Sequence, residues 1–190
     1  MSLIDFFRPR ADGRAEPVAP TAYLPMVDSP PPGRKRLAAV VGASAVAGLI
    51  AVVAQFEGHS NDPYRDLVGV LTVCAGETRV PMRRYSDAEC EDMLANGLAD
   101  FAGPVLKRNP ELRGHDAQVI SAISLSYNIG SKAYAGSTVA RLFSEGRWIS
   151  ACNAFRSWVY AGGRRVPGLV NRREKERLIC LRDVPRDKAR

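Results

Sequence analysis

The stretch "VVAQFEGHSNDPYRDLVG", residues 52–69, begins as apolar helix and ends as polar turn. Glu57 stands where the character changes, Asp66 comes nine positions later, and Thr72 six beyond that. Desolvation favours the neutral form of a carboxyl, the form a general acid must hold near neutral pH. A carboxyl in a polar turn stays ionised and can stabilise positive charge or orient water. Two carboxylates in unlike surroundings facing one gap are the equipment of glycoside hydrolysis. Glu57 is therefore the candidate acid and Asp66 its ionised partner, with the Thr72 hydroxyl as a holder of water. The alternative is a helix-end glutamate and an unrelated turn aspartate.

Upstream of this stretch, "LAAVVGASAVAGLIAVVA", residues 37–54, carries no charge and reaches the length of a membrane-spanning candidate. Arg34, Lys35 and Arg36 precede it, so the positive-inside rule keeps the N-terminus cytoplasmic and exports the chain beyond residue 54. Ten of the eighteen residues are Ala, Gly or Ser, which makes the run only weakly lipophilic. Ala38/Gly42 and Ser44/Gly48 are small pairs four apart and suit close helix packing. Three readings fit: a permanent anchor, a buried core helix, and a weak anchor able to leave the membrane. Residues 1–36 hold seven of the thirteen prolines without sustained periodicity, and are expected to be a disordered, cytoplasmic tract.

Downstream, the pattern is α+β. "HSNDP" is turn chemistry, and Tyr64 to Gly76 is rich in β-branched residues and broken by Gly69, as in a hairpin. Ser86 and Glu89 form a capping box that opens a helix. "HDAQVISAISLSYNIG" has apolar positions at 119, 120, 123 and 127, with Gly130 as a stop, and is expected to be the central core helix. A shorter helix over Ser137 to Glu145 comes next, then one ended by Gly162 and Gly163, then one over "VPGLVNRREKERLICL".

The 190 residues carry a net charge of +7, with 46% apolar and 25% charged residues. That balance suits a polyanionic partner: nucleic acid, anionic lipid or an anionic wall polymer. Zinc-finger spacing, an RNA-binding aromatic signature and a phosphate loop are all missing from the sequence, so no nucleic-acid partner is expected. Cys74, Cys90, Cys152 and Cys180 form no CxxC pair, and His59 and His115 lie far from them, so neither metal nor cofactor is expected. Four cysteines fit two disulfides in an oxidising compartment or four buried thiols.

The blocks "FEG", "PYRDLVGVLTVCAGET", "SYNIG", "STVARLF" and "GLVNRRE" occur in an order and spacing that resembles the phage-type lysozymes, the endolysins of glycoside hydrolase family 24. The resemblance spans residues 55–181. It implies a lysozyme-like fold: a small β lobe near the start, then a mostly helical lobe, after a weakly hydrophobic N-terminal helix. It implies a monomeric muramidase acting on peptidoglycan, with a Glu-x8-Asp-x5-Thr triad that falls on Glu57, Asp66 and Thr72. It places an arginine of "GLVNRRE" beside the catalytic glutamate, Arg172 or else Arg173. It puts Tyr127 and Asn128 on the sugar cleft, although Tyr127 fits the core equally well. Where many family members read Gly-His-Thr, this chain reads Gly76-Glu77-Thr78, which adds an acidic group near the cleft. Related exported endolysins suggest the pairs Cys74–Cys90 and Cys152–Cys180, one of three possible pairings. Some members carry a signal-anchor-release segment like residues 37–54. It would tether the enzyme to the inner membrane, hold it inactive, and release it into the periplasm when the membrane potential collapses.

Overall fold

A computed structural model describes residues 32–66 and 69–187. The expected tract 1–36 lies outside these residues as far as position 31, and its last four residues are already helical. Helix α1 spans Gly33–Val41 and α2 spans Ala43–Glu57. The apolar run was expected to be one helix, but it is broken at Gly42, where the two axes bend by 117°. Gly42 has φ +87, a backbone region open to glycine at no steric cost. No single helix among the described residues is long and apolar enough to cross a membrane, while α1 and α2 together meet that test by length and composition.

Both helices pack into the protein. α1 lies on α3 (Asp87–Arg108) and α2 on α4 (Asp116–Ile129). Leu37, Ala45, Val46, Leu49, Ile50 and Val53 are buried. Apart from Ala45, they join the main core with Leu98, Val105, Ile123 and Leu125. The small residues seen in the sequence serve this packing: a Cβ on Gly48 would lie 2.8 Å from Ile120 Cδ1. Residue 55, the expected start of the globular domain, thus falls inside α2.

Strands β1 (Ser60–Arg65) and β2 (Leu71–Cys74) form the antiparallel β lobe, with Tyr64 opposite Thr72. Ser60 to Pro63 of "HSNDP", expected as a turn, are the first four residues of β1. The register shifts between Ser60 and Tyr64, the span that holds Pro63, which has no N–H to give a ladder. A small second core of Val73, Cys74, Tyr85, Cys90 and Met93 lies beneath β2. Asn61 ties β1 to the entry of α3 by donating from Nδ2 to Tyr85 O and to Asp87 Oδ1. The Ser86–Glu89 capping box opens α3 as expected.

Ten of the fourteen residues of helix α4 are buried, and α2, α3 and α8 pack around it. After it come α5 (Ser131–Ala135), α6 (Thr138–Ser144) and α7 (Trp148–Ala154). The helix expected to run to Gly162 stops at Ala154. A 3-10 turn continues from it into a small hairpin of β3 (Tyr160–Ala161) and β4 (Arg164–Arg165), turned by Gly162 and Gly163. Helix α8 (Pro167–Cys180) closes the fold against α4. Disulfides join Cys74 to Cys90 and Cys152 to Cys180, the pairing that the resemblance suggested.

Candidate active site

Glu57 is the last residue of α2, with Gly58 turning the chain out of the helix. Its Oε1 accepts from Arg172 Nη1 at 2.9 Å, across 115 positions of sequence. The two side chains are only 3% and 2% exposed. Arg172 is thus the arginine that meets the glutamate. Its guanidinium plane is fixed at every edge: Nε donates to Glu176 Oε1 at 3.1 Å, and Nη2 to Ser124 O at 3.4 Å. The Phe56 ring lies 4.6 Å from its central carbon, a cation–π contact.

Arg173, the other sequence candidate, points elsewhere. It is fully buried, pairs with Glu176 at 2.7 Å, and donates from Nη2 to Asn128 Oδ1. Burial pulls its pKa down to about 10 against the support of Glu176. Asn128, expected on the sugar cleft, is 1% exposed and belongs to this buried cluster instead. Its position on α4 faces α8, and a polar residue there is kept because the buried guanidinium needs an acceptor.

Asp66 and Thr72 come together through one residue, Val70. The Val70 N–H donates to Asp66 Oδ1 at 2.8 Å, and Thr72 Oγ1 lies 3.0 Å from Val70 O. A second acceptor for the same hydroxyl, Tyr64 O, is 3.3 Å away. The bonds to Val70 thus set both side chains, and Thr72 is buried on β2.

A cavity of about 260 Å³ opens between the β lobe and α3, lined by Cys74, Glu77, Arg79, Asp100, Phe101 and Tyr127 among others. Of the sequence candidates Tyr127 lines it; Glu57, Asp66, Thr72 and Asn128 do not. The Phe101 and Tyr127 rings meet edge to face at 5.1 Å. Burial, and next the Glu57 charge, push the Tyr127 phenol well above its ordinary range. Arg172, Glu77 and Arg79 act on it too, so this phenol lies in the fields of both ion pairs. Glu77, the departure noted in the sequence, takes the N–H groups of Thr78 and Arg79 and the Arg79 guanidinium. Burial acts to raise its carboxyl, but these donors outweigh it and hold the carboxyl below its usual value.

Sequence reading missed Glu176, Ser124 and the burial of Arg173. The signal was there in the i,i+3 and i,i+4 spacing of Glu176 from the two arginines, a pattern that usually marks surface pairs. Among the described residues no group of three or more His, Cys, Asp or Glu gathers as a metal site.

Comparison with known proteins gives one answer. Residues 54–176 match the model of the family described as phage lysozyme. A SAR-endolysin of Enterobacteria phage P21 is 37% identical over 163 residues, covering 80% of this chain and 97% of that one. An endolysin from Escherichia coli O157:H7 phage FAHEc1 superposes with a TM-score of 0.63 at 26% identity, covering 73% of this chain and 94% of the other. A P22 lysozyme mutant superposes with a TM-score of 0.64 at 25% identity, covering 71% and 96%. The chain therefore belongs to the phage lysozyme family and is a lysozyme-type glycoside hydrolase.

Proposed function

We propose that the protein is an endolysin: a muramidase that cuts the β-1,4 bond between N-acetylmuramic acid and N-acetylglucosamine in peptidoglycan, for phage-driven host lysis. The observation that carries the proposal is the buried Glu57–Arg172 pair at the end of α2, whose charges act on the phenol that lines the cavity. Glu57 gives its proton to the glycosidic oxygen as the bond to the anomeric carbon breaks. The Asp66 carboxylate stabilises the oxocarbenium-like transition state. Thr72 holds the water that adds to the anomeric carbon, its lone pairs accepting from that water while its own proton stays on the backbone carbonyls; the proton that the water loses goes to solvent, from which Glu57 regains the one it gave. The glycan runs along the cavity past Phe101 and Tyr127. The net charge of +7 favours an anionic wall over neutral polymers.

Residues 37–54 serve, on the same reading, as a releasable signal anchor. The named relatives of phage P21 and phage PA-2 are SAR-endolysins. In the folded protein this run forms one wall of the core, so it cannot lie in lipid at the same time. Only Gln55 and Phe56 separate it from Glu57, which an inserted helix would hold within about 5 Å of the end of the run. Tethering at the inner membrane thus keeps Glu57 from Arg172, and release into the periplasm lets α2 fold home. The weak lipophilicity of the run makes departure feasible, and its three flanking cations fix the starting topology.

The test is clearing of outer-membrane-permeabilised Gram-negative cells by the oxidised, full-length chain and by its Glu57→Gln variant. Rapid clearing by the parent with loss of at least about a thousandfold in the folded variant supports the reading. Equal clearing by both removes Glu57 from the chemistry.

A further inference from the structure

Glu176 is fully buried on α8, and the proposed hydrolysis does not use it. Oε1 accepts from Ser124 Oγ at 2.6 Å and from Arg172 Nε at 3.1 Å, while Oε2 faces Arg173 Nη1 at 2.7 Å. Glu57, Arg172, Arg173 and Glu176 form a closed group of two cations and two anions whose side chains are no more than 3% exposed. With Glu57 ionised the group is neutral only with Glu176 in it, and with Glu57 protonated Glu176 is the anion left to the two arginines. A guanidinium is a rigid plane, so the bond that fixes Nε also fixes the direction in which Nη1 points. Nη1 is the atom on Glu57. The chain of position therefore runs from Ser124 to Glu176 to Arg172 to Glu57, from the centre of α4 to the end of α2.

We infer that Glu176 is a positioning residue for the acid: it commits one edge of Arg172 to itself, so that a single guanidinium nitrogen holds the Glu57 carboxyl where the glycosidic oxygen must receive a proton. The inference rests on the reading of Glu57 as that acid. Without the Glu176 carboxylate, Arg172 is free to turn a two-nitrogen edge to Glu57, and Arg173 becomes an unpaired buried cation beside it. Glu57 is then held more tightly and in the wrong place, and misplacement by an ångström at a reacting group is enough to cost about a hundredfold.

The experiment measures kcat and KM on soluble, dye-labelled peptidoglycan fragments with the purified full-length chain. The variants are Glu57→Gln, Glu176→Gln, Ser124→Ala and Arg172→Lys, with Glu176→Gln and Ser124→Ala each combined with Arg172→Lys. Glu176→Gln is expected to lower kcat by about tenfold to a hundredfold with KM within about twofold. Ser124→Ala loosens Glu176 without touching charge and should lower kcat by about fivefold, which keeps the test decisive if Glu176→Gln does not fold. In the Arg172→Lys background both losses should disappear, because the route from Glu176 to Glu57 is already cut. A purely structural role lowers thermal stability and leaves that cycle additive. Full kcat in folded Glu176→Gln or Ser124→Ala, or losses that multiply with Arg172→Lys, would overturn the inference. An active Glu57→Gln overturns the reading of the acid instead, so the two failures are distinguishable.

Discussion

Asp92 closes the open end of a helix to which it does not belong. From α3 its Oδ2 accepts the Gly33 N–H at 2.8 Å and its Oδ1 the Arg34 N–H at 2.9 Å, the first two amides of α1. Pro32, the residue before α1, offers no side-chain cap. Two cations of α1 complete the join, Arg34 on Glu91 and Arg36 on Asp100. Two of the three basic residues that would set membrane topology thus have acidic partners waiting on α3. Asp92→Ala should cost about 1 kcal/mol, the usual worth of an N-cap, and lower Tm by about 2–4 °C. Amide exchange should quicken in α1 and little elsewhere, and a uniform change across the molecule would contradict the local cap.

Gly48 puts stability and membrane preference in opposition. Its Cα faces Ile120 so closely that an added Cβ must displace the end of that side chain. Gly48→Ala should be nearly neutral, because the Ile120 tip can move. Gly48→Val fills the contact with a branched group and should destabilise the folded state by about 1–3 kcal/mol, while making residues 37–54 more lipophilic. In cells the membrane-bound fraction should rise and the soluble fraction fall. Membrane fractionation of the two variants measures this, and an unchanged partition for Gly48→Val would argue against exchange of the segment between lipid and core.

How far the sequence discloses this structure depends on whether burial tracks hydrophobicity. On α4 it does for Val119, Ala122, Ile123, Leu125 and Ile129, which was enough to make the helix, its stop at Gly130 and its central place readable, although Gln118, Ser121, Ser124, Ser126 and Asn128 are buried there too. The capping box at Ser86 and Glu89 was equally plain. On α8 it does not. Leu169, Arg172, Arg173, Glu176 and Cys180 are the buried stripe, spaced at helical period, and three of the five are charged. A hydrophobicity pattern reads that face as solvent, because only the partners on other elements make the charges tolerable. Residues 37–54 fail in another way. Their composition reports an apolar surround but not whether lipid or protein supplies it, and Gly42 is lost among ten small residues. The resemblance puts Asn128 on the cleft together with Tyr127, yet successive residues of a helix point about 100° apart, and Tyr127 faces the cavity while Asn128 faces Arg173.

Acid should weaken the fold through a few surface carboxylates. Glu89 is held down to about 2, first by the Arg83 guanidinium and then by the Ser86 amide and hydroxyl. Glu174 is also held to about 2, by Arg177 and then Arg156. Carboxyls with depressed values in the folded state contribute stability above the unfolded value near 4.5, and lose it as pH falls towards about 2. Tm should therefore decline as pH falls from 4.5 to about 2. Glu89→Gln should lower Tm at neutral pH and flatten that decline, and added salt should flatten it for the parent, since both groups are exposed. A decline of equal slope in Glu89→Gln would assign the acid sensitivity to other carboxyls.

The two disulfides should differ in what they protect. Cys152–Cys180 closes a span of 28 residues between α7 and α8, inside the main core. Cys74–Cys90 closes 16 residues and is itself part of the small core under β2, whose other buried members among the described residues are Val73, Tyr85 and Met93, with Val80 and Met82 packed against them. Either pair replaced by serines should cost about 2–4 kcal/mol, with the longer loop costing slightly more by chain entropy. The effect on activity should run the other way. Removing Cys74–Cys90 frees β2 from α3, and β2 carries Thr72 and contributes Cys74 to the cavity wall. At a temperature where both variants remain folded, Cys74→Ser/Cys90→Ser should therefore lose more turnover than Cys152→Ser/Cys180→Ser, although its Tm falls no further. Parallel kcat and Tm measurements on the two double variants decide it. A loss of turnover that merely tracks Tm would mean that the β lobe holds its shape without the covalent tie.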